Sequence, residues 1–298
     1  MPRAIRLALL TALALIAFAG NSLLCRTALR HGDIDAASFT AIRMLSGAMM
    51  LGLLARVRRR QCPSGSSSGT ESSQARLATA HGSWLSAAAL FSYAAAFSFA
   101  YLSLSAATGA LLLFGAVQVT MIGHGVWRGE RVHPAQWLGL AVAFAGLLIL
   151  LMPGLEAPPW QGALLMLVAG AAWGVYSLRG RGAGDPLQAT AGNFLRTLPM
   201  VALLSLLARE SMSADTQGIA AAVISGALAS GLGYAVWYTA LPALRATSAA
   251  IVQLSVPVLA AVGGIAWLGE ALTLRFVLAA AAVLGGIALV TLVRPTDP

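Results

Sequence analysis

Apolar runs, none broken for longer than a turn, occupy residues 7–28, 36–56, 78–101, 105–126, 135–152, 160–178, 188–208, 217–239, 244–268 and 272–293, and nothing else in the chain limits its fold as strongly. About 20 apolar residues carry a helix across a bilayer, so ten crossings consume nearly all of the 298 residues. Only 10% of the residues are charged, against about 25% in a soluble domain. A single soluble core cannot hide that much apolar surface. In lipid the backbone has to satisfy its own polar groups, and stretches such as 147–151 lack the alternation of a β-barrel. The prediction is an all-α integral membrane protein with ten transmembrane helices and no room for a sizeable soluble domain.

The first run has a second reading. Arg3 and Arg6 followed by apolar sequence to Ala17-Phe18-Ala19 resemble a cleavable leader. The apolar stretch continues to Leu24, however, and the repeat described below needs this span, so it is expected to be retained. Beyond the spans, residues 61–74 are rich in serine and glycine and are expected to form a flexible cytoplasmic tether.

All 19 basic residues are arginine. They sit at the ends of the apolar runs rather than along one face, which points to membrane orientation and not to a nucleic-acid partner. With the N-terminus in the cytoplasm, the inner segments hold Arg3, Arg6, Arg56, Arg58, Arg59, Arg60, Arg76, Arg128, Arg131, Arg179, Arg181, Arg245 and Arg294. The outer segments hold only Arg26, Arg30, Arg209 and Arg275, while Arg43 and Arg196 lie within spans. The positive-inside rule therefore predicts both termini in the cytoplasm. That topology puts Cys25 and Cys62 on opposite sides of the membrane, so a disulfide between them is not expected.

The two halves repeat each other. Trp127-Arg128-Gly129-Glu130 returns as Trp267-Leu268-Gly269-Glu270, and Gly146 returns as Gly286, both 140 residues on. Ala107-Thr108 matches Ala246-Thr247 (139 on), Gly20 matches Gly174 (154 on) and Arg43 matches Arg196 (153 on). The change of offset falls between the second and third spans, where the first half carries its tether. Repeats of about 1–153 and 154–298 with five spans each must lie in opposite senses in the bilayer, which is how many secondary transporters are built.

Ten spans in two halves, Gly20-Asn21-Ser22 in the first, Trp173-Gly174 in the sixth, and W-x-G-E closing the fourth and ninth together resemble the drug/metabolite transporter superfamily, EamA type. Within it, Phe114-Gly115-Ala116-Val117-Gln118 resembles the YddG-type branch, exporters of aromatic and other amino acids that also handle methyl viologen. Pro257 stands where this superfamily has its ninth-span proline, whereas the first half has Val117 at that place. The small multidrug exporters of the superfamily rely on a buried acid in the first span, and residues 18–22 contain none.

The ten acids and the four histidines (His31, His81, His124 and His133) all fall in loops or near span ends. Proton-coupled transport usually needs an intramembrane relay, so a facilitator is expected. No phosphate-binding G-x-x-x-x-G-K-[ST] motif occurs, and no catalytic residue, cofactor or metal is expected. Recognition is left to aromatic and weakly polar side chains: Tyr93 and Phe97 in span three, Trp173 and Tyr176 in span six, and Tyr234, Trp237 and Tyr238 in span eight. Packing or an interfacial belt is the plain reading of such residues, and it suits Trp84, Trp137 and Trp160 at span ends. A mid-span phenol needs a partner for its hydroxyl, which a wet cavity would supply. The amides Asn21, Gln118 and Gln253 are either substrate contacts or glue between helices. Arg43 and Arg196, each about eight residues or about 12 Å into a span, either meet a substrate carboxylate at two gates or make fixed contacts at the rim.

These readings predict a transporter in a bacterial cytoplasmic membrane, monomeric or weakly dimeric. It would export small metabolites, with amino acids implied by the resemblance, through alternating access. A proton-coupled drug or organic-cation exporter and a non-transporting structural membrane protein are the rivals.

Overall fold

Within each run the backbone amides have only one another as partners, and helices form close to where hydropathy places them. The computed structural model describes residues 3–61, 82–129, 133–154, 157–180, 185–240, 243–244 and 252–292. Its helices are α1 (Arg3–Arg30), α2 (Ala36–Gln61), α3 (Trp84–Ala100), α4 (Ala106–Trp127) and α5 (Pro134–Leu151) in the first half. The second half contributes α6 (Trp160–Gly180), α7 (Pro186–Leu207), α8 (Thr216–Ala240), α9 (Ser255–Leu268) and α10 (Leu274–Leu292). Among the described residues, eight of these are long and apolar enough to cross a bilayer, and α3 and α9 are shorter apolar helices. Residues 62–74 of the expected tether, Cys62 within it, and 245–251 of the expected ninth run lie outside the described residues.

Short polar caps set the boundaries. Ser83 and Ser105 each accept a hydrogen bond from the backbone N–H three residues on, opening α3 and α4, and Asp185 and Asp215 do the same for α7 and α8. His133 and Gln136 form a reciprocal capping box at the start of α5. The glycines of the two W-x-G-E motifs have positive φ, 88° at Gly129 and 62° at Gly269, so each ends its helix in a conformation that costs other residues energy. Helix α8 is not uniform: residues Ser225–Leu232 are wound as π-helix between two α-helical stretches. Two glycines and two serines in that stretch leave room for the wider turn, a feature that recurs at functional sites.

The fold is an all-α membrane bundle of two inverted five-helix repeats, α1–α5 and α6–α10. The packing shows the inversion: α3 lies on α6 as α8 lies on α1, and α4 lies on α6 as α9 lies on α1. Helices α2 and α7, α4 and α9, and α5 and α10 meet their own counterparts. At the α5–α10 seam a Cβ on Gly146 would press on the Ala279 carbonyl (2.9 Å), and one on Gly286 would press on the Gly139 carbonyl. Both pairs of positions, 146 with 286 and 139 with 279, are 140 apart, so one contact is made twice in opposite senses.

Tryptophans divide by position. Trp84, Trp127, Trp137, Trp160 and Trp267 are exposed and stand at or near helix ends, as an interfacial belt requires. Trp173 lies mid-helix and Trp237 one turn from the end of α8, and both face inward.

The end of the bundle carrying the α1–α2 turn, called the distal end below, is tied by a short bridge between Ile34 and Ala214. Asp35 organises it, accepting from the N–H groups of Ala37 (2.9 Å), Ser38 (3.0 Å) and Ser213 (3.0 Å). Burial works against its charge, but hydrogen bonds from Ser38, Ser213 and Ala37 outweigh burial and hold the carboxyl below its ordinary value. A depressed folded value means the stabilisation is complete above the unfolded carboxylate value and is lost as pH falls through the folded one. Asp35→Ala is expected to cost about 1–2 kcal/mol at neutral pH. Melting in detergent checks it, and the gap from the unmodified protein should narrow on acidification below about pH 4.

Candidate functional site

Side chains from both halves converge at mid-bundle. The Trp173 ring lies 4.9 Å from that of Tyr93, 5.1 Å from Tyr234 and 5.4 Å from Tyr176, centroid to centroid. Phe18 on α1 meets Tyr234 and Trp237 edge-on, each at 5.9 Å. Among these rings is a cavity of about 20 Å³ lined by Phe18, Asn21, Ser22, Tyr93, Phe97, Leu113, Phe114, Trp173, Ala229, Ser230, Tyr234 and Gln253. These residues come from α1, α3, α4, α6, α8 and the segment entering α9. The space holds about one water, so the bundle has to widen before it can take a metabolite.

A polar chain runs behind this wall. Ser225 donates to Asn21 Oδ1 (2.6 Å), and Asn21 Nδ2 donates to the Tyr93 hydroxyl (3.4 Å). Arg43 Nη2 donates to the same hydroxyl (2.9 Å), and Arg43 Nε donates to Ser230 Oγ (3.2 Å). Ser225 and Ser230 both belong to the π-helical stretch, which therefore presents two hydroxyls to the first half. The guanidinium carbon of Arg43 lies 4.9 Å from the Phe97 ring centre and 5.2 Å from that of Tyr93. Arg43 is 1% exposed, and its Nη1 has no hydrogen-bond partner among the described residues.

Of the residues singled out from sequence, Asn21, Tyr93, Phe97, Trp173, Tyr234 and Gln253 line the cavity. Tyr176 is buried behind Trp173, with Asn193 Nδ2 3.5 Å from its hydroxyl. Trp237 packs beside Phe18 and Ala14, while Tyr238 is half-buried and Gln118 is buried on α4; none of these three is part of the cavity wall. The repeat-related arginines have unlike surroundings: Arg43 is central, whereas Arg196 is half-exposed and donates to the Gly192 carbonyl of its own helix (3.1 Å). Phe18, Ser22 and Ser230 were not foreseen. Phe18 stood inside the A-x-A triplet, Ser22 entered only as part of the Gly20-Asn21-Ser22 resemblance, and Ser230 carried no mark beyond being small and polar.

The distal end is closed by charge. Both carboxylate oxygens of Glu270 accept from the Ala106 N–H that opens α4 (3.1 and 2.9 Å), and Glu270 Oε1 lies 3.4 Å from Arg26 Nε. Arg26 Nη1 also donates to the Tyr101 carbonyl (2.9 Å), and Arg30 Nη1 donates to that of Leu268 (2.6 Å). Helices α1, α3, α4 and α9 are thus cross-tied beside a 220 Å³ pocket that Glu270 helps to line. At the proximal end Arg179, 153 residues after Arg26, donates to Ser86 Oγ (3.0 Å) and Ser83 Oγ (3.2 Å). Glu130, the repeat partner of Glu270, lies outside the described residues.

Compared with known families, the sequence matches the EamA-like transporter family twice, over residues 5–152 and again over 160–292. The chain belongs to the EamA-like transporters. It is a multi-pass membrane transporter with the inverted-repeat fold described above. A relative, an uncharacterised protein of Pseudomonas aeruginosa, is 57% identical over 96% of this chain and 94% of its own length. The threonine/homoserine exporter RhtA of Escherichia coli is 32% identical over 47% of this chain and 49% of its own length. A crystal structure with 21% sequence identity shares this fold with a TM-score of 0.65, covering 96% of this chain and 97% of the other.

Proposed function

We propose that this EamA-like protein exports amino acids, aromatic and broader in the manner of YddG-type carriers, from the bacterial cytoplasm by alternating access and without a coupling ion. The mid-bundle cavity carries the reading. Its rings suit an apolar side chain, its amides and hydroxyls suit a zwitterion, and no acid is among its described lining residues to relay a proton. Two inverted halves meeting at that cavity supply the means to open it first to one side and then to the other. The arginine distribution favours cytoplasmic termini, which makes the Glu270 tie the outer closure. The partial match to an exporter named for threonine and homoserine supports an amino-acid cargo.

Uptake of labelled tryptophan, phenylalanine and threonine into proteoliposomes, with and without an imposed pH gradient, tests the proposal. Flux independent of the gradient is expected. Trp173→Ala should lower it about tenfold or more, since a ring contact and its buried area are worth roughly 1.5–3 kcal/mol. Flux seen only with the gradient would overturn the uncoupled mechanism. Absence of flux for every amino acid would overturn the cargo and turn attention to organic cations.

A further inference from the structure

We propose that Arg43 is the carboxylate anchor of the transport site, so that this protein selects for the carboxylate of its cargo rather than for the ammonium group. The proposal rests on the transport reading above and names the chemical class that the cavity takes: monocarboxylates with an apolar side chain, with or without an α-amino group.

Three observations lead there. First, Arg43 stays charged under any physiological condition, yet it is 1% exposed in mid-bundle and neither ion pair found among the described residues includes it. Among the described residues its charge is met by the hydroxyls of Tyr93 and Ser230 and the ring faces of Tyr93 and Phe97. A buried cation without a counter-ion is costly, and an incoming carboxylate removes that cost.

Second, the fork is not used up. A guanidinium has five N–H groups, and the two hydrogen bonds found here engage Nε and Nη2 and leave Nη1 without a partner among the described residues. A carboxylate can take two parallel hydrogen bonds from such a fork.

Third, the partners of Arg43 are the cavity wall. Tyr93, Phe97 and Ser230 all line the cavity and all touch the guanidinium. Ser230 belongs to the second half and Arg43 to the first, so separating the halves withdraws the serine and uncovers the cation from the cavity side. For an ammonium group the described lining offers hydroxyls, amides and ring faces but no acid, and Asn21 Oδ1 already accepts from Ser225.

Inhibition of labelled tryptophan uptake in proteoliposomes tests this with four competitors of one shape: tryptophan, its deaminated 2-hydroxy acid, its amide and its decarboxylated amine. In the unmodified protein both acids should compete about tenfold or more better than the amide and the amine. In Arg43→Gln that advantage should collapse to within about threefold, while Arg43→Lys should retain part of it. A purely structural Arg43 would lower all four together and leave their order intact, and that result would overturn the proposal. Equal competition by the amide in the unmodified protein would also overturn it, whatever the variants do and even if they fail to fold. Either result leaves amino-acid transport itself standing, whereas absence of any amino-acid flux removes the transport reading and this proposal together.

Discussion

Glu270→Gln is expected to unlock the distal end and to cut transport sharply. The carboxylate sits over the first turn of α4, where its charge is favoured by the helix N-terminus, and it also meets Arg26 with side-chain exposures of only 10% and 14%. Glutamine keeps one acceptor oxygen but puts an NH₂ group where the second oxygen met the Ala106 N–H. Losing a charge-assisted contact and leaving Arg26 short of its partner should cost the closed form on the order of 2–4 kcal/mol. An open form that does not use the tie pays none of that, so the ratio of open to closed rises by roughly 30-fold or more. Cys25 reports it without a new label, because this neighbour of Arg26 is 0% exposed. In a Cys62→Ser background, alkylation of Cys25 by a small maleimide should speed up about tenfold or more in Glu270→Gln. Unchanged alkylation together with unchanged flux would sink the idea that this tie is the closure.

Gly286→Leu is expected to prevent the two halves from seating. A Cβ at Gly286 would run into the Gly139 carbonyl and come within 2.6 Å of the Ala143 nitrogen. Both obstacles are backbone, so no side chain can swing aside. Helices α5 and α10 would have to separate along the seam where the inverted contact is made twice. Overpacking of this kind costs roughly 1–3 kcal/mol for a single methylene and more for a branched side chain. The adjacent Gly285 is exposed with nothing within 4 Å of its Cβ position, so Gly285→Leu adds the same bulk on the outer face of α10. Size-exclusion profiles in detergent should show the folded peak lost or strongly reduced for Gly286→Leu and kept for Gly285→Leu. A folded Gly286→Leu melting within about 2 °C of the unmodified chain would mean that the seam is not close-packed.

These two glycines also show what can be read without coordinates. They are neighbours in one apolar run, and the match of Gly146 to Gly286 marks the second as a repeat landmark. Nothing in the run says that position 286 faces α5 while 285 faces outward. Lipid accepts apolar residues on every face, so a membrane helix lacks the polar stripe that tells a soluble helix which side is inside. The same blindness hid Phe18 and Ser230 and left Trp237 beside Trp173 among the candidates, although of the two only Trp173 lines the cavity. Arg43 and Arg196 show it most plainly: both were expected about eight residues into a span at matching repeat positions, and one is sealed among rings while the other is half-exposed.

The sequence by itself determined that this chain is an all-α membrane protein, where the apolar helices of its described residues run, and that its halves run in opposite senses. Those are consequences of local transfer energy and of counting, since each helix forms wherever about 20 apolar residues meet lipid and an odd repeat has to invert. Only the tertiary structure decided the rotation of each helix about its own axis, and with it which hydroxyls face Arg43, which glycines admit a neighbour and which carboxylate closes the distal end. That choice is made by contacts between residues far apart in the chain, such as Arg26 with Glu270 and Asn21 with Ser225, whose energies come from packing and hydrogen bonding between helices and leave no trace in the hydropathy of any one of them.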